Sequence, residues 1–371
     1  MAPTSSSLIL PLYDVIGSPA ALGHGYGTAL RDVIARFVPM RFAAVAQYTA
    51  DAGSGDLEGL LAVGRASYPI FREFDPAGFE EHEATAHAAG VDPIELFTAG
   101  NMTDMRDAVI LAGDAPAFRG DGPAADAEGC SSVLIPASST TDQRPLAGQT
   151  WDLNPEDVDY VVGVRRRPTV GPSTWAVTVA GCPTLVGMNE YGLTVGTTNI
   201  KTWGSKPGVG YLNVLHKMVR CRDVGEAIAV VTDAPRSGAH TFWAADGRRA
   251  VELETSPDRV VAREADAAAV IRTNHCLAPG IVAREWQAPT ASSVRRLARL
   301  TGLLSGAAHS VATLRAAFSD RSDGVNSVNR YAEDGQGTAT NAVVIAEPAA
   351  RRFHCCRGPA DRGSWVTLTF D

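Results

Sequence analysis

Glu128-Gly129-Cys130-Ser131-Ser132 marks the point at which this chain changes character. Residues 114–128 before it (DAPAFRGDGPAADAE) are rich in Ala, Asp, Gly and Pro with almost no apolar periodicity, which predicts a mobile, exposed loop. A structureless loop of about fifteen residues is uncommon in a compact domain unless it serves a function. After the junction, apolar residues recur at a period of two, and a first strand is predicted over residues 131–135.

A cysteine at such a junction suits a protein that cuts its own chain. The Cys130 thiol can attack the carbonyl carbon of Gly129, the acyl group then moves from nitrogen to sulfur, and water hydrolyses the thioester. Glycine before the nucleophile has no β-carbon to block the attack and tolerates a strained backbone. The product carries an N-terminal cysteine whose α-amino group, with a pKa of about 7.7–8.0, can accept the thiol proton without a histidine.

A buried structural cysteine is the alternative for Cys130, and the chain contains a comparison for it. Gly181-Cys182 is also a Gly-Cys pair, but Pro183 follows it and no polar pair does, so we expect Cys182 to be structural. The six cysteines show neither a disulfide framework nor the paired spacing of a zinc site. We therefore expect free thiols, a cytoplasmic setting and no metal or organic cofactor.

Composition and length exclude several classes of protein. Of the 371 residues, 45% are hydrophobic and 20% charged, which is ordinary for a globular chain and argues against disorder. A formal net charge of -8 argues against nucleic-acid binding. No apolar run is long enough to span a membrane, and the N-terminus lacks the early positive charge of a secretory signal. The length fits two domains or one large layered domain.

The first third of the chain is predicted to be mostly helical. Apolar spacing predicts helices over 27–37, with Pro39 as the stop, over 79–89, and over 93–97. Later helical segments are expected within 212–231, where a second helix opens at Asp223, and over 293–304 and 311–318.

In the segment 293–304, the apolar spacing predicts which residues are buried. Val294, Leu297, Leu300 and Leu304 would share the buried face, whereas Arg295, Arg296 and Arg299 would lie outside.

Strands dominate the remainder of the chain. They are predicted over 131–135, 160–164, 175–179, 193–198, 241–245, 251–253, 260–263, 270–273, 342–346 and 365–370. Runs of strands with helices grouped between them favour an α+β fold over a doubly wound parallel sheet.

Three other motifs carry little functional weight. The glycines of Gly23-His24-Gly25-Tyr26-Gly27 lack the spacing of a dinucleotide-binding loop. His82 and His87 are five residues apart, which separates them on a helix, so solvated histidines are expected rather than a zinc site. The run Arg165-Arg166-Arg167 is expected in a solvated turn, with a substrate role as the lesser alternative.

Taken together, several short motifs resemble the acyl-coenzyme A:isopenicillin N acyltransferase family of self-processing cysteine N-terminal-nucleophile (Ntn) hydrolases, relatives of penicillin V acylases and bile-salt hydrolases. The resemblance covers most of the chain, and its motifs occur in the family's order. They are residues 23–37, which resemble a first helix, Gly129-Cys130-Ser131-Ser132, Gln149-Thr150-Trp151-Asp152, residues 187–199 ending in Asn199, Thr273-Asn274-His275 and Ser327-Val328-Asn329-Arg330. Thr150 departs from the family, which has asparagine there, and this exchange could alter acyl-group recognition.

The resemblance implies a role for each matched residue. Cys130 would be both the nucleophile and, with Gly129, the autoproteolysis site, and Asp152 would orient the new amine. A turn carboxylate beside Pro155 is the alternative for Asp152. Ser132 stands where the family has a threonine implicated in processing.

The remaining matched residues would bind charge. Asn274 would donate to the oxyanion and Asn199 would supply a second contact, although either residue could instead end a strand in a turn. Arg330 would pair with Asp152 or with the thiolate, and a surface arginine is its alternative.

The same resemblance implies a four-layer αββα sandwich of antiparallel sheets, made as an inactive precursor. Residues 1–129 would form an α-subunit ending in a processing loop at 114–129, and 130–371 a β-subunit, together one Ntn-hydrolase domain and an α/β heterodimer. The reaction would be acyl transfer or hydrolysis at an amide bond, with an acyl-amide or acyl-thioester as substrate and a role in secondary metabolism. A plain amidohydrolase and an inactive scaffold that binds a ligand are the alternatives. No nucleic acid and no membrane is expected as partner.

Overall fold

The computed structural model describes residues 8–52, 56–114, 129–306 and 308–371, with the side chains of 46–52 excepted. The predicted mobile loop therefore lies, apart from Asp114 and Gly129, outside the described residues. No helix within the described ranges is long and apolar enough to cross a membrane.

The N-terminal part of the chain is helical, as predicted, after one short strand. Its elements are β1 (Leu12–Gly17), α1 (Pro19–Ala29), α2 (Arg31–Ala52), α3 (Leu57–Phe74), α4 (Pro76–Ala89), α5 (Pro93–Gly100) and α6 (Met102–Ile110). The prediction of a single helix over 27–37 was wrong, because two helices meet at Leu30. Pro39 lies inside α2 and does not end it. Ile34 and Phe37 of this helix are fully buried, and their packing outweighs the local cost of the proline.

The glycines of the Gly23-to-Gly27 run serve helix packing. A β-carbon at Gly23 would lie 2.0 Å from the Glu81 carbonyl oxygen, and one at Gly27 would lie 2.2 Å from the Thr85 carbonyl oxygen. These glycines therefore allow the backbones of α1 and α4 to touch, which explains the motif without a ligand.

The rest of the chain forms two sheets. The strands are β2 (Ser131–Ile135), β3 (Leu146–Leu153), β4 (Val161–Pro168), β5 (Thr174–Val179), β6 (Val186–Asn189), β7 (Thr194–Asn199), β8 (His240–Ala245), β9 (Ala250–Ser256), β10 (Arg259–Glu264), β11 (Val270–Arg272), β12 (Ala339–Glu347), β13 (Arg352–Arg357) and β14 (Trp365–Leu368). The larger sheet has the order β1-β4-β5-β6-β7-β8-β9-β10 and the smaller sheet β11-β2-β3-β12-β13-β14. Every pair is antiparallel except β1 with β4, which is parallel.

Helices cover the outer faces of the two sheets. They are α7 (Tyr211–Met218), α8 (Val224–Asp233), α9 (Pro279–Val282), α10 (Ala291–Leu303) and α11 (Val311–Phe318). Val214 of α7 packs with Val195 on the larger sheet, and Leu300 of α10 packs with Val133 on the smaller one. A third cluster, which includes Trp243, lies between the sheets. The α+β class and the αββα layering are thus confirmed.

Candidate active site

Cys130 lies at the entrance to β2, with its side chain on the inner side of the smaller sheet. It is 7% exposed and packs in the cluster between the sheets, whereas Val133 packs under α10. The next residue, Ser131, is paired with Thr150 of β3, and its backbone N–H donates to Thr150 Oγ1 at 3.1 Å. Thr150 is fully buried, and its hydroxyl holds the start of β2 next to Cys130.

Asp152 and Arg330 flank the Gly129–Cys130 bond. The backbone N–H of Gly129 donates to the Asp152 carbonyl oxygen at 3.4 Å. Arg330 Nε lies 3.7 Å from Asp152 Oδ2, and its Nη1 donates to Thr338 Oγ1 at 2.6 Å. Arg330 is 2% exposed, so burial lowers its pKa even though the Asp152 and Cys130 side chains oppose this shift. The alternative of a surface arginine is excluded.

The Asp152 carboxylate is fully buried. Burial raises its pKa from 3.8 to about 6, against the opposing charges of Arg330 and Arg296 and the nearby hydroxyls of Thr340 and Thr150. Neither oxygen has a hydrogen bond of standard geometry within the described residues. The carboxylate is therefore an acceptor with capacity to spare in the pocket that it shares with Cys130.

Arg296 of α10 is a site residue that the sequence analysis missed. Arg296 was expected on the solvent-exposed face of the helix, but it is fully buried. Val294, which was expected on the buried face, is 47% exposed. Arg296 Nη1 donates to the Cys130 carbonyl oxygen at 2.5 Å and to Ser131 Oγ at 2.9 Å, while Nη2 donates to Asn274 Oδ1 at 2.9 Å. The prediction from helical periodicity was wrong for Arg296, because it assumes that a charged side chain faces water. Burial, reinforced by Arg330, lowers the Arg296 pKa to about 9.

Asn274 is held on three sides. Its backbone N–H donates to Ser293 Oγ at 2.9 Å, its Oδ1 accepts from Arg296, and its Nδ2 donates to the Asn199 carbonyl oxygen at 3.0 Å. Nδ2 has this one acceptor among the described residues, so its second hydrogen can serve a ligand. Asn199 is the last residue of β7, so this bond links the segment that follows β11 of the smaller sheet to the larger sheet.

Two clefts open on either side of Asn199. The first, which we call the Cys130 pocket, is lined by Thr103, Cys130, Trp151, Asp152, Leu153, Leu185, Thr197, Asn199, Tyr211 and His240. The second is lined by Asn199, Ile200, Lys201, Asn274, Glu285, Gln287, Ala288, Pro289 and Thr290. Cys130, Asp152 and Asn199 thus share one pocket, and Asn274 faces the neighbouring one.

Ser132 is a predicted site residue that the structure places within the smaller sheet. It is 3% exposed and is paired between Gln149 of β3 and Arg272 of β11, and it lines neither cleft. Because side chains two positions apart in a strand project from the same face, Ser132 lies on the same side of the sheet as Cys130.

The motifs set aside in the sequence are structural, although two expectations about them were wrong. His82 is buried, and its Nε2 lies 2.8 Å from the Pro93 carbonyl oxygen. Arg166 lies inside β4 rather than in a turn, and its Nε is 2.6 Å from Glu81 Oε1. Cys182 is buried as expected, and burial raises its pKa to about 12. Among the described residues, no cluster of His, Cys, Asp or Glu could hold a metal ion.

A family model described as acyl-coenzyme A:6-aminopenicillanic acid acyl-transferase matches residues 139–361. Among solved structures, penicillin V acylase from Agrobacterium tumefaciens is similar at 12% identity with a TM-score of 0.39, covering 61% of this chain and 82% of that one. A mutant and a variant of conjugated bile acid hydrolase from Clostridium perfringens are similar at 10% and 11% identity, each with a TM-score of 0.37 and covering 65% of this chain and 97% of theirs. No curated protein matches the sequence.

Proposed function

This chain belongs to the acyl-coenzyme A:6-aminopenicillanic acid acyl-transferase family, and we propose that it is a cysteine enzyme that cleaves itself between Gly129 and Cys130. It is an acyltransferase or amidohydrolase acting on amide bonds, and we propose that the acyl group passes through a thioester on Cys130. The observation that carries the proposal is the pair of buried arginines that act electrostatically on this thiol. Arg296 and Arg330 are both buried, and the buried Asp152 carboxylate interacts electrostatically with each of them.

Two buried guanidinium groups near a thiol favour its anionic form. The Cys130 side chain interacts electrostatically with both Arg296 and Arg330. A thiolate at this position would be stabilised by their positive charge, which is the physical condition for an activated cysteine. The same field would stabilise an oxyanion as it forms.

Self-cleavage begins when the Cys130 sulfur adds to the Gly129 carbonyl carbon. The tetrahedral intermediate collapses with rupture of the C–N bond, and the departing nitrogen takes up the thiol proton and becomes the α-amine of Cys130. Water then adds to the thioester, releasing the Gly129 carboxylate and restoring the thiol. The Asp152 carboxylate would accept a hydrogen bond from the new amine, since it lines the same pocket as Cys130 and both of its oxygens lack a hydrogen bond within the described residues.

In the mature protein, the α-amine of Cys130 would take the thiol proton as sulfur attacks the substrate's acyl carbon. The amine of the substrate leaves with that proton, and the acyl group stays on sulfur. An amine acceptor or water then attacks the thioester. We propose that Asn274, through its second Nδ2 hydrogen, and Asn199 contact the oxyanion, with Arg296 fixing the orientation of the Asn274 amide.

The first experiment tests self-cleavage. Purified wild-type protein should give two bands on a denaturing gel, the larger one beginning at Cys130 by N-terminal sequencing, and Cys130→Ala should give one. The matched control is Cys182→Ala, which removes a buried cysteine of another Gly-Cys pair and should still be cleaved. An active wild-type protein that runs as a single uncleaved chain would overturn the self-cleavage.

The second experiment separates a transferase from a plain hydrolase, the alternative within the same chemistry. The mature protein is incubated with acyl-amides with and without an amine acceptor, and the acyl products are identified by mass spectrometry. Transfer predicts that the acceptor diverts acyl groups from the free acid, whereas an acceptor without effect identifies a hydrolase. The cytoplasmic setting and the role in secondary metabolism stay predictions.

A further inference from the structure

His240 forms part of the wall of the Cys130 pocket, at the first position of β8. It is 3% exposed, and it is paired with Asn199 in the β7–β8 ladder. Residues directly opposite each other in a ladder project from the same face of the sheet, so the imidazole and the Asn199 amide lie side by side. The proposed acyl transfer makes no use of this imidazole.

The imidazole is fixed by residues from both sides of the proposed cleavage point. Asp104 of α6 is 1% exposed, and its Oδ1 lies 2.9 Å from His240 Nε2. Asp104 Oδ2 accepts from the backbone N–H of Tyr211 at 2.7 Å. The Tyr211 ring in turn stacks on the imidazole, with ring centroids 4.5 Å apart and an interplanar angle of 22°. The ring can therefore neither turn nor withdraw at low cost.

These contacts determine which nitrogen carries the proton. An ionised carboxylate can only accept hydrogen bonds, so Nε2 of His240 is the donor to Asp104. In the neutral imidazole Nδ1 is then an acceptor. Within the described ranges of the chain, this buried Nδ1 has no hydrogen-bond partner. A buried acceptor is costly to leave unsatisfied, and here it belongs to a side chain that lines the Cys130 pocket.

We infer that Nδ1 of His240 accepts a hydrogen bond from the substrate's acyl group, so that the enzyme prefers acyl chains carrying a hydroxyl or N–H donor. The neighbouring wall is formed by the apolar faces of Trp151, Leu153, Leu185 and Tyr211, which suits the hydrocarbon part of such a chain. The assignment rests on the proposed function, because it takes the pocket beside Cys130 to be the acyl-binding site. His240 is thus a specificity-determining residue.

The test uses a homologous series of ω-hydroxyacyl p-nitroanilides, each paired with the chain in which a methyl group replaces the hydroxyl. The mature protein should show a kcat/KM about tenfold higher for the best hydroxyacyl member than for its methyl partner, the worth of one hydrogen bond. His240→Phe keeps an aromatic ring under Tyr211 but removes the acceptor, and should bring the ratio to about one. His240→Gln keeps an acceptor and should restore part of the ratio. His87→Phe, at a histidine whose side chain is 69% exposed, should leave the ratio unchanged.

A binding measurement keeps the assignment testable without turnover. Each probe is assayed for protection of Cys130 against iodoacetamide, with the labelled peptide quantified by mass spectrometry. The hydroxyacyl member should protect at about tenfold lower concentration than its methyl partner in the wild type, and at equal concentration in His240→Phe. Stronger protection by the hydroxyacyl member that is lost in His240→Phe, without turnover of any probe, would overturn the proposed function but support the hydrogen bond to His240. The assignment would be overturned if both members of every pair protected equally and had equal kcat/KM. It would also be overturned if His240→Phe kept the wild-type ratio of kcat/KM between the hydroxyacyl member and its methyl partner.

Discussion

The guanidinium of Arg330 packs against the α-carbon of Gly129. A β-carbon at position 129 would lie 2.4 Å from Cζ and 2.5 Å from Nη1 of this arginine, closer than real β-carbons approach other heavy atoms. Arg330 cannot withdraw freely, because it is 2% exposed and its Nη1 donates to Thr338 Oγ1 at 2.6 Å. Glycine before Cys130 is therefore required by packing, independently of the attack that we propose at its carbonyl carbon.

Gly129→Ala should slow self-cleavage. The added methyl group must displace Arg330 from Asp152, and overpacking of this kind costs about 1–3 kcal/mol, which corresponds to roughly fivefold to a hundredfold if all of it appears in the barrier. The fraction of cleaved chain is followed on a denaturing gel over time. Gly302→Ala in α10, where a β-carbon would meet nothing within 4 Å, is the control and should be cleaved at the wild-type rate. Equal rates for the two variants would contradict the packing argument.

Arg296→Met should impair both cleavage and turnover. Methionine fills much of the volume but leaves the Cys130 carbonyl oxygen and Asn274 Oδ1 without their donor. Since Arg296 acts by positioning these groups, we expect kcat to fall by about tenfold to a hundredfold, less than the loss of an oxyanion donor itself, with KM little changed.

The neighbouring arginine supplies the control for this experiment. Arg295 lies on the same helix with its side chain 56% exposed and forms an ion pair with Asp323 at 3.1 Å. Arg295→Met should retain wild-type kcat. A loss that is the same in Arg295→Met and Arg296→Met would mean that helix stability, rather than the site, is responsible.

The sequence predicted elements whose cause is local. The helix over 311–318 and the strand over 131–135 have the bounds expected from periodicity, and Ser310 caps that helix as its position suggests. Asp223 likewise accepts from the Glu226 backbone N–H at the start of α8. Capping and alternation are properties of neighbouring residues, so they can be inferred without the fold.

The buried charges could not be predicted in this way. Arg296 is on a helix face that periodicity assigns to solvent, and only the approach of β2 to α10 turns that face into the interior. His240 and Asp104 are 136 positions apart, and no spacing rule joins them. Gly129 and Cys130 could be identified from the sequence because the cleavage that we propose involves two residues that are adjacent in the chain.

Self-cleavage should slow as the pH falls through about 6. Burial raises the pKa of Asp152 to about 6, so its carboxylate gains a proton in this range and can no longer accept from the new amine on both oxygens. The rate of processing is measured on freshly refolded precursor from about pH 5 to pH 8. A rate that is flat across this interval would show that the protonation of Asp152 does not limit cleavage.

The same pKa has the opposite consequence for stability. A carboxyl whose pKa is higher in the folded than in the unfolded chain stabilises the fold below its ordinary pKa of 3.8, and this contribution is lost as pH rises through about 6. It amounts to at most about 3 kcal/mol. In the uncleaved Cys130→Ala protein, Asp152→Asn should therefore lessen the fall in the free energy of unfolding between acidic and neutral pH, measured by urea denaturation.

Asp157 provides the matched control for both measurements. Burial raises its pKa to about 6 as well, and it pairs with Arg41 at 3.0 Å without lining either cleft. Asp157→Asn should change the pH dependence of unfolding but leave the rate of self-cleavage as in the wild type. If it slows cleavage as much as Asp152→Asn does, general stability rather than the site accounts for the effect.

Iodoacetamide at neutral pH should alkylate Cys130 before any other cysteine. Burial raises the pKa of each of the other thiols. The pKa rises to about 12 for Cys182 and Cys356 and to about 11 for Cys221. It is raised for Cys276 and Cys355 as well. The Cys130 side chain instead interacts electrostatically with Arg296 and Arg330, whose positive charges favour the reactive thiolate. Peptide mapping after brief labelling of the native protein measures the order. Cys221 is the internal control, since it is the most exposed of the five and reaction there first would show that access, rather than thiolate stabilisation, governs reactivity.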